Sequence, residues 1–201
     1  MAVKFKEIET KYDAADIKLQ SFIDLVETFK PSKWVMVSSY DDFFINKDNC
    51  FIRYRYTDDR GELTIKKKMI DKNNNERIEV NVPTSGDNFP AIQAFAELLG
   101  YNFNFGIYKT CKIAFLDTVV LVYYVVYDKE MKEQRRFIEV EANEHYAWES
   151  EQQAWEEVTK YEKMLESLGI TPKNRLKKSL FEMFRKEVNN DTHIRQLDKA
   201  S

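Results

Sequence analysis

Residues 51–56 read Phe-Ile-Arg-Tyr-Arg-Tyr, and their alternation decides how the rest of the chain is read. Side chains at i and i+2 of a strand look to one face, so Arg53 and Arg55 stand together while Ile52, Tyr54 and Tyr56 look the other way. The same spacing carries charge elsewhere. Glu7, Glu9 and Lys11 share a face against Ile8 and Thr10, Lys66 and Lys68 stand across from Ile65, Lys67 and Met69, Arg77 and Glu79 flank Ile78, and Glu139 and Glu141 flank Val140. A half-buried antiparallel sheet usually turns such a face to water. Here the positions are nearly all ionic and sorted by sign, with glutamate pairs near the two ends of the chain and arginine and lysine pairs between them.

Working outward, eight segments read as strands: Val3 to Tyr12, Lys33 to Ile45, Cys50 to Thr57, Glu62 to Ile70, Glu76 to Val82, Asn104 to Leu116, Val119 to Asp128 and Gln134 to Ala142. Asn46 to Asn49, Asp58-Asp59-Arg60-Gly61 and Lys72 to Asn75 supply turn chemistry between them. Helical periodicity opens at Asp13 or Asp16 with Ile17, Phe22, Ile23, Val26 and Phe29 on one face, and a short helix capped by Asp87 runs to Leu99 before Gly100. Trp148 to Leu168 reads as an amphipathic helix, and a last helix is expected from Thr171-Pro172 through Leu176, Leu180, Phe181 and Phe184. The pattern predicts an α+β fold, and eight antiparallel strands are enough to close an eight-stranded antiparallel β-barrel with a narrow interior and helices packed outside. One domain is expected over 1–186, with a flexible tail at 187–201.

The 201 residues hold 31 Lys plus Arg against 34 Asp plus Glu, a net charge of -3, which argues against a globally basic nucleic-acid coat. The five glycines form neither a dinucleotide fingerprint nor a phosphate-cradling loop, so side chains must hold any bound phosphate. Two cysteines without metal spacing, a charged amino terminus and a longest apolar run of Val119 to Tyr127 give the expectation of a reduced, cytoplasmic protein with no membrane partner. Two histidines exclude histidine-rich zinc sites. Like charges crowded into a barrel interior are costly without a compensating ligand. Glutamates from two strands offer hard oxygen ligands for Mg²⁺ or Mn²⁺, and Arg with Lys matches a polyanion, so a metal-bound polyphosphate answers both halves.

Glu7-Ile8-Glu9-Thr10-Lys11 resembles the ExExK signature of the CYTH superfamily, the triphosphate tunnel metalloenzymes. Phe51 to Arg55 looks like that family's arginine pair, Leu63-Thr64-Ile65-Lys66 like its Thr-x-Lys strand, Arg77-Ile78-Glu79 like its Arg-x-Glu, and Phe137 to Glu141 like its late Glu-x-Glu. Leu168-Gly169-Ile170 and Lys178-Ser179-Leu180-Phe181 are similar to its closing helices, so the resemblance spans roughly residues 5 to 185. It implies that Glu7, Glu9, Glu139 and Glu141 are metal ligands, with Asp128 near the position of a further acidic ligand. Arg53, Arg55, Lys66 and Arg77 hold phosphates, Lys11 lines the tunnel and orients them, and Lys68 is an added cation. Lys11, Glu9 and Arg55 are the expected catalytic residues. Where the family carries Lys-x-Arg, this chain has Lys109-Thr110-Cys111-Lys112, so either Cys111 faces the tunnel or an offset brings in Lys112 beside Lys109.

The expected activity is metal-dependent hydrolysis of a triphosphate, with inorganic triphosphate, a nucleoside or thiamine triphosphate, or an RNA 5′-triphosphate end as substrate. The alternatives are a class IV adenylyl cyclase and a non-catalytic nucleotide or polyphosphate binder. The expected partner is this small molecule, a long nucleic acid being disfavoured by charge, and the chain is expected as a monomer or homodimer.

Overall fold

The computed structural model describes residues 8–46, 50–57, 60–68, 77–85, 88–128 and 130–187; for 66–68, 77–79, 85, 186 and 187 it describes the backbone path alone. The described residues form eight strands and four α-helices. The strands are β1 (Glu9–Asp13), β2 (Lys33–Ile45), β3 (Phe51–Tyr56), β4 (Arg60–Lys68), β5 (Arg77–Ser85), β6 (Asn102–Phe115), β7 (Val119–Tyr127) and β8 (Glu133–Ala142). The helices are α1 (Leu19–Glu27), α2 (Phe89–Leu98), α3 (Glu151–Leu165) and α4 (Leu180–Glu187). All pairings are antiparallel in the order β1-β8-β7-β6-β2-β3-β4-β5, as one α+β sheet.

The expected eight-stranded antiparallel sheet of an α+β fold is present. Among the described residues no hydrogen-bonded pairing joins β1 to β5. The edge of β1 is covered differently. Arg175 bridges Tyr12, and the Leu176 N–H donates to the Lys11 carbonyl at 2.8 Å, satisfying edge groups that would otherwise invite foreign strands.

That bridge also explains a difference in the helices. The helix expected to run unbroken from Thr171 through Phe184 is a single 3₁₀ turn at Pro172–Asn174, an extended stretch, and then α4. Arg175 is extended (φ -65°, ψ 126°), which suits pairing with β1 and interrupts a helix. α4 restarts at Ser179, whose N–H and hydroxyl donate to the Glu182 carboxylate at 2.8 and 3.0 Å while the Glu182 N–H donates back at 3.2 Å. α3 is shorter than the periodicity alone suggests. Ser150 caps it by accepting from the Gln153 N–H (3.2 Å), and Gly169, at φ 82°, ends the short turn that follows.

Strand alternation separates two faces. On the outer face, Ile8, Tyr12, Leu121, Tyr123, Ile138 and Val140 pack beneath α1 and α3 with Phe22, Val26, Val158 and Leu165. Further along, Phe44, Ile52, Tyr54 and Leu63 cluster with Ala96 of α2. The inner face is charged over part of its area and apolar over the rest. Its apolar part, Phe43, Phe105, Ile107, Val122 and Phe137, receives Phe181, Met183 and Phe184 of α4. Phe181 stacks on Phe51 at 4.7 Å and on Phe105 at 5.7 Å between ring centroids. The expectation of helices outside and charge inside therefore holds for α1, α2 and α3, while α4 lies on the inner face. The expected tail falls almost wholly at 188–201, outside the described residues, as do the expected strand residues 3–7.

Candidate functional site

The site is built where the charged parts of six strands meet on the inner face. Asp41 lies at its centre and is 0% exposed. β2 places it opposite Arg55 of β3 on one side and Ile107 of β6 on the other. Arg55 donates from Nε to Asp41 Oδ1 at 2.8 Å and from Nη2 to Oδ2 at 2.9 Å, a two-point carboxylate–guanidinium pair. Lys109 Nζ, from the next strand, lies 3.1 Å from the same Oδ2. Burial opposes ionisation of Asp41, but Arg55 and Lys109 outweigh it and hold the carboxyl well below the usual carboxylate range. Burial also disfavours the charged Arg55, and the ion pair with Asp41 outweighs it to keep the guanidinium protonated. Lys109 shows the opposite balance. Burial, then Arg55, push its pKa below the ordinary lysine value while Asp41 works against them.

Next to this group, Arg53 donates from Nη2 to Thr64 Oγ1 at 2.8 Å and to Glu62 Oε1 at 3.2 Å, and the Thr64 hydroxyl donates to Asn81 Oδ1 at 2.7 Å. On the far side, Lys11 Nζ lies 2.8 Å from Glu139 Oε1 and 3.8 Å from Glu9 Oε1, so one ammonium serves two carboxylates. The Tyr124 hydroxyl donates to Glu139 at 2.9 Å, and the Lys109 ammonium sits 5.5 Å from the centre of the Tyr124 ring. Burial raises the Glu139 pKa, but Lys11 first and Lys109 after it bring it below the ordinary value, so the carboxylate stays ionised. Burial and the Glu139 charge drive the Tyr124 phenol well above its ordinary value. Tyr124 thus joins the Arg55–Asp41–Lys109 group to the Lys11–Glu139–Glu9 group. Lys11 is 8% and Lys109 6% exposed.

Of the residues expected from sequence, Glu9, Lys11, Arg53, Arg55, Lys109, Glu139 and Glu141 share this face, with Glu9 directly opposite Glu141 and Lys11 opposite Glu139. Lys66, Lys68 and Arg77 occupy register positions of the same parity, opposite Phe51 in β3 or within the β4–β5 pair, and their side chains lie outside the described residues, as does Glu7 altogether.

Two expectations are corrected. Lys112 stands on the outer face, its ammonium 5.1 Å from the centre of the Trp34 ring, because β6 runs without an offset there and Cys111 takes the inner position beside Lys109. Burial raises the Cys111 thiol, with Lys109 and Arg55 opposing. Asp128 ends β7 away from the glutamates. Its carboxylate organises the following turn, accepting from the N–H groups of Glu130 and Lys132 at 2.8 and 2.9 Å and from Gln134 Nε2 at 2.7 Å. A carboxylate bound to two backbone amides is satisfied locally.

Sequence reasoning missed Asp41, Glu62 and Tyr124. Asp41 sits beside Asp42 in a long strand of aromatic and apolar residues, and adjacent aspartates give no clue to which one faces inward. The Arg55–Glu62 register opposition is visible only once β3 and β4 are paired.

Among the described residues no group of three or more acidic, His or Cys side chains is gathered as a ready cation site. The donor chemistry nonetheless fits a hard divalent ion. Glu9 and Glu139 are carboxylates on adjacent strands sharing one cation already, and Glu139 is held ionised.

No protein-family model matches the chain, and no curated protein matches it in sequence. Solved structures do. A conserved hypothetical protein from Pyrococcus furiosus is 25% identical with a TM-score of 0.68, covering 88% of this chain and 98% of its own. A "putative adenylate cyclase" from Vibrio parahaemolyticus is 13% identical with a TM-score of 0.62, covering 90% and 99%, and another so titled from Bacillus halodurans is 14% identical with a TM-score of 0.56, covering 89% and 96%. These likenesses show a fold shared over nearly the whole of each neighbour. No helix among the described residues is long and apolar enough to cross a membrane.

Proposed function

We propose that the inner face binds a triphosphate and promotes its metal-dependent hydrolysis. The observation that carries this reading is the gathering of buried Lys11 and Lys109 and half-buried Arg53 and Arg55 on one face with the carboxylates of β1 and β8, an arrangement whose cost calls for a ligand bearing both a cation and a polyanion. Arg53, Arg55 and Lys109 would bind phosphoryl oxygens and offset charge that builds on them as water adds to the terminal phosphorus and the bridging P–O bond breaks. Lys66, Lys68 and Arg77 extend the same role along β4 and β5. Lys11 would orient the phosphates while paired with Glu9 and Glu139. Glu9, Glu139, Glu141 and Glu7 would hold Mg²⁺ or Mn²⁺, which when bound supplies charge neutralisation of the phosphates and a more acidic water.

A cyclase reaction on the same residues is the second reading, favoured by the names of the Vibrio and Bacillus neighbours. In that chemistry the ribose 3′-hydroxyl attacks the α-phosphorus of ATP and pyrophosphate leaves. Product analysis over inorganic triphosphate, ATP, thiamine triphosphate and an RNA 5′-triphosphate, with each metal, separates the two. Orthophosphate release is the expected result, and cyclic AMP with pyrophosphate would establish the cyclase. Glu9→Gln should cut metal-dependent turnover by about 100-fold or more with the melting temperature little changed. Turnover by that variant at the wild-type rate would overturn the site, and triphosphate binding without turnover under any condition would leave a non-catalytic binder.

A further inference from the structure

Arg55 meets Asp41 through Nε and Nη2, which leaves Nη1 and the outer Nη2 hydrogen for a ligand, and Lys109 spends one of its three N–H groups on the same carboxylate. Arg55, Lys109 and Asp41 together carry one positive charge where Arg55 and Lys109 alone would carry two. Asp41 has no access to solvent and a two-point partner, so its charge is a fixed part of this seat. Phosphoryl groups differ in the same quantity. An internal unit of a polyphosphate chain carries one negative charge, whereas a terminal one approaches two near neutral pH, its second pKa being about 6.

We infer that Asp41 is a specificity-determining residue that sets the Arg55–Lys109 seat to a single positive charge, so that it takes an internal, singly charged phosphoryl unit in preference to a terminal one. This rests on the triphosphate reading above. It assigns the seat beneath Arg55 to the middle of the bound anion. The groups around it are Arg53 of β3, Cys111 of β6, Tyr124 of β7 and Glu139 of β8. The first shares the inner face, and the last three join Lys109 to the glutamate side.

The test is calorimetric binding of inorganic triphosphate, without metal and at fixed ionic strength, to the wild type, Asp41→Asn, Lys109→Met and the double variant. The seat's charge runs plus one, plus two, zero and plus one. Asp41→Asn should bind about tenfold tighter, Lys109→Met about tenfold weaker, and the double variant close to the wild type. If Asp41 served only to brace Arg55, its loss would weaken binding and the double variant would be worse than Lys109→Met alone, which overturns the inference. A second measurement needs no substitution at the buried carboxylate. The wild type should bind trimetaphosphate, made of internal units alone, at least as tightly as pyrophosphate, which has none; pyrophosphate binding tighter overturns the inference. Ordered affinities without phosphate release would sink hydrolysis and leave this inference standing, and release with disordered affinities would do the reverse. A wild type that binds none of the three anions overturns both.

Discussion

Asp41 and Glu139 are buried carboxylates whose neighbouring cations keep them ionised, and this has a consequence in acid. Both have folded pKa values below their unfolded values of about 4. Below that pH the unfolded chain takes up protons that the folded chain refuses, so unfolding free energy rises with pH there and levels off above about pH 5. Their contribution is present above the unfolded pKa and is lost as pH falls through the folded one. Denaturant titrations from pH 7 to pH 3 should therefore show stability falling steeply below about pH 4 in the wild type. Asp41→Asn, less stable at pH 7 because it leaves Lys109 and Arg55 facing each other, should lose less over the same interval. An equally steep acid limb in that variant would mean that Asp41 is not among the groups responsible. Glycine matters at one place in the site's support. A Cβ on Gly106 would lie 2.5 Å from Asp42 Oδ1, so the Asp42 carboxylate occupies the space that a side chain there would need.

α4 is the element whose role the periodicity hid. Its apolar residues match a helix on either face of the sheet, and only the bridge of Arg175 to Tyr12 carries the chain round the edge of β1 to the inner side. Phe181 then completes a stack with Phe43, Phe51 and Phe105, and Phe51 stands two residues from Arg53 on the same strand. Truncating a buried, stacked phenylalanine costs about 3–5 kcal/mol when the surroundings cannot relax, more than an eight-residue helix supplies for itself. Phe181→Ala should therefore release α4 while the sheet stays folded. Hydrogen exchange is expected to accelerate in 180–187 with little change in β6 and β7, and exchange rates that rise equally throughout would mean that α4 belongs to the global folding unit.

At the scale of the whole molecule, the sheet is charged on its inner side and apolar where α1, α2 and α3 cover it. A ligand that binds only the folded inner face must raise global stability. At about 100 times its dissociation constant it adds about 2.7 kcal/mol, which in a chain of this size shifts the melting temperature by about 5–10 °C. Inorganic triphosphate is expected to give such a shift at low ionic strength, and added salt should reduce it as exposed charges are screened. A melting temperature unmoved by saturating triphosphate would contradict anion binding here.

Much of this was written in local order. The two-residue alternation of Arg53 with Arg55, Glu9 with Lys11, and Glu139 with Glu141 puts each pair on one face whatever the strand touches, because the strand period is a property of the backbone. Helix stops at Gly100 and Gly169 and the strand segments are legible for the same reason: each depends on a few neighbouring residues. Pairing between distant segments decided the rest. Whether Cys111 or Lys112 faces inward depends on the register of β6 against β2 and β7, and the choice between Asp41 and Asp42 on that of β2 against β3. Asp128 was lost to a local turn, which three donors satisfied more cheaply than a distant site could. The sequence by itself determined which charges travel together; the tertiary structure alone decided which opposite charges they meet, since a one-residue change of register reverses every side chain in a strand.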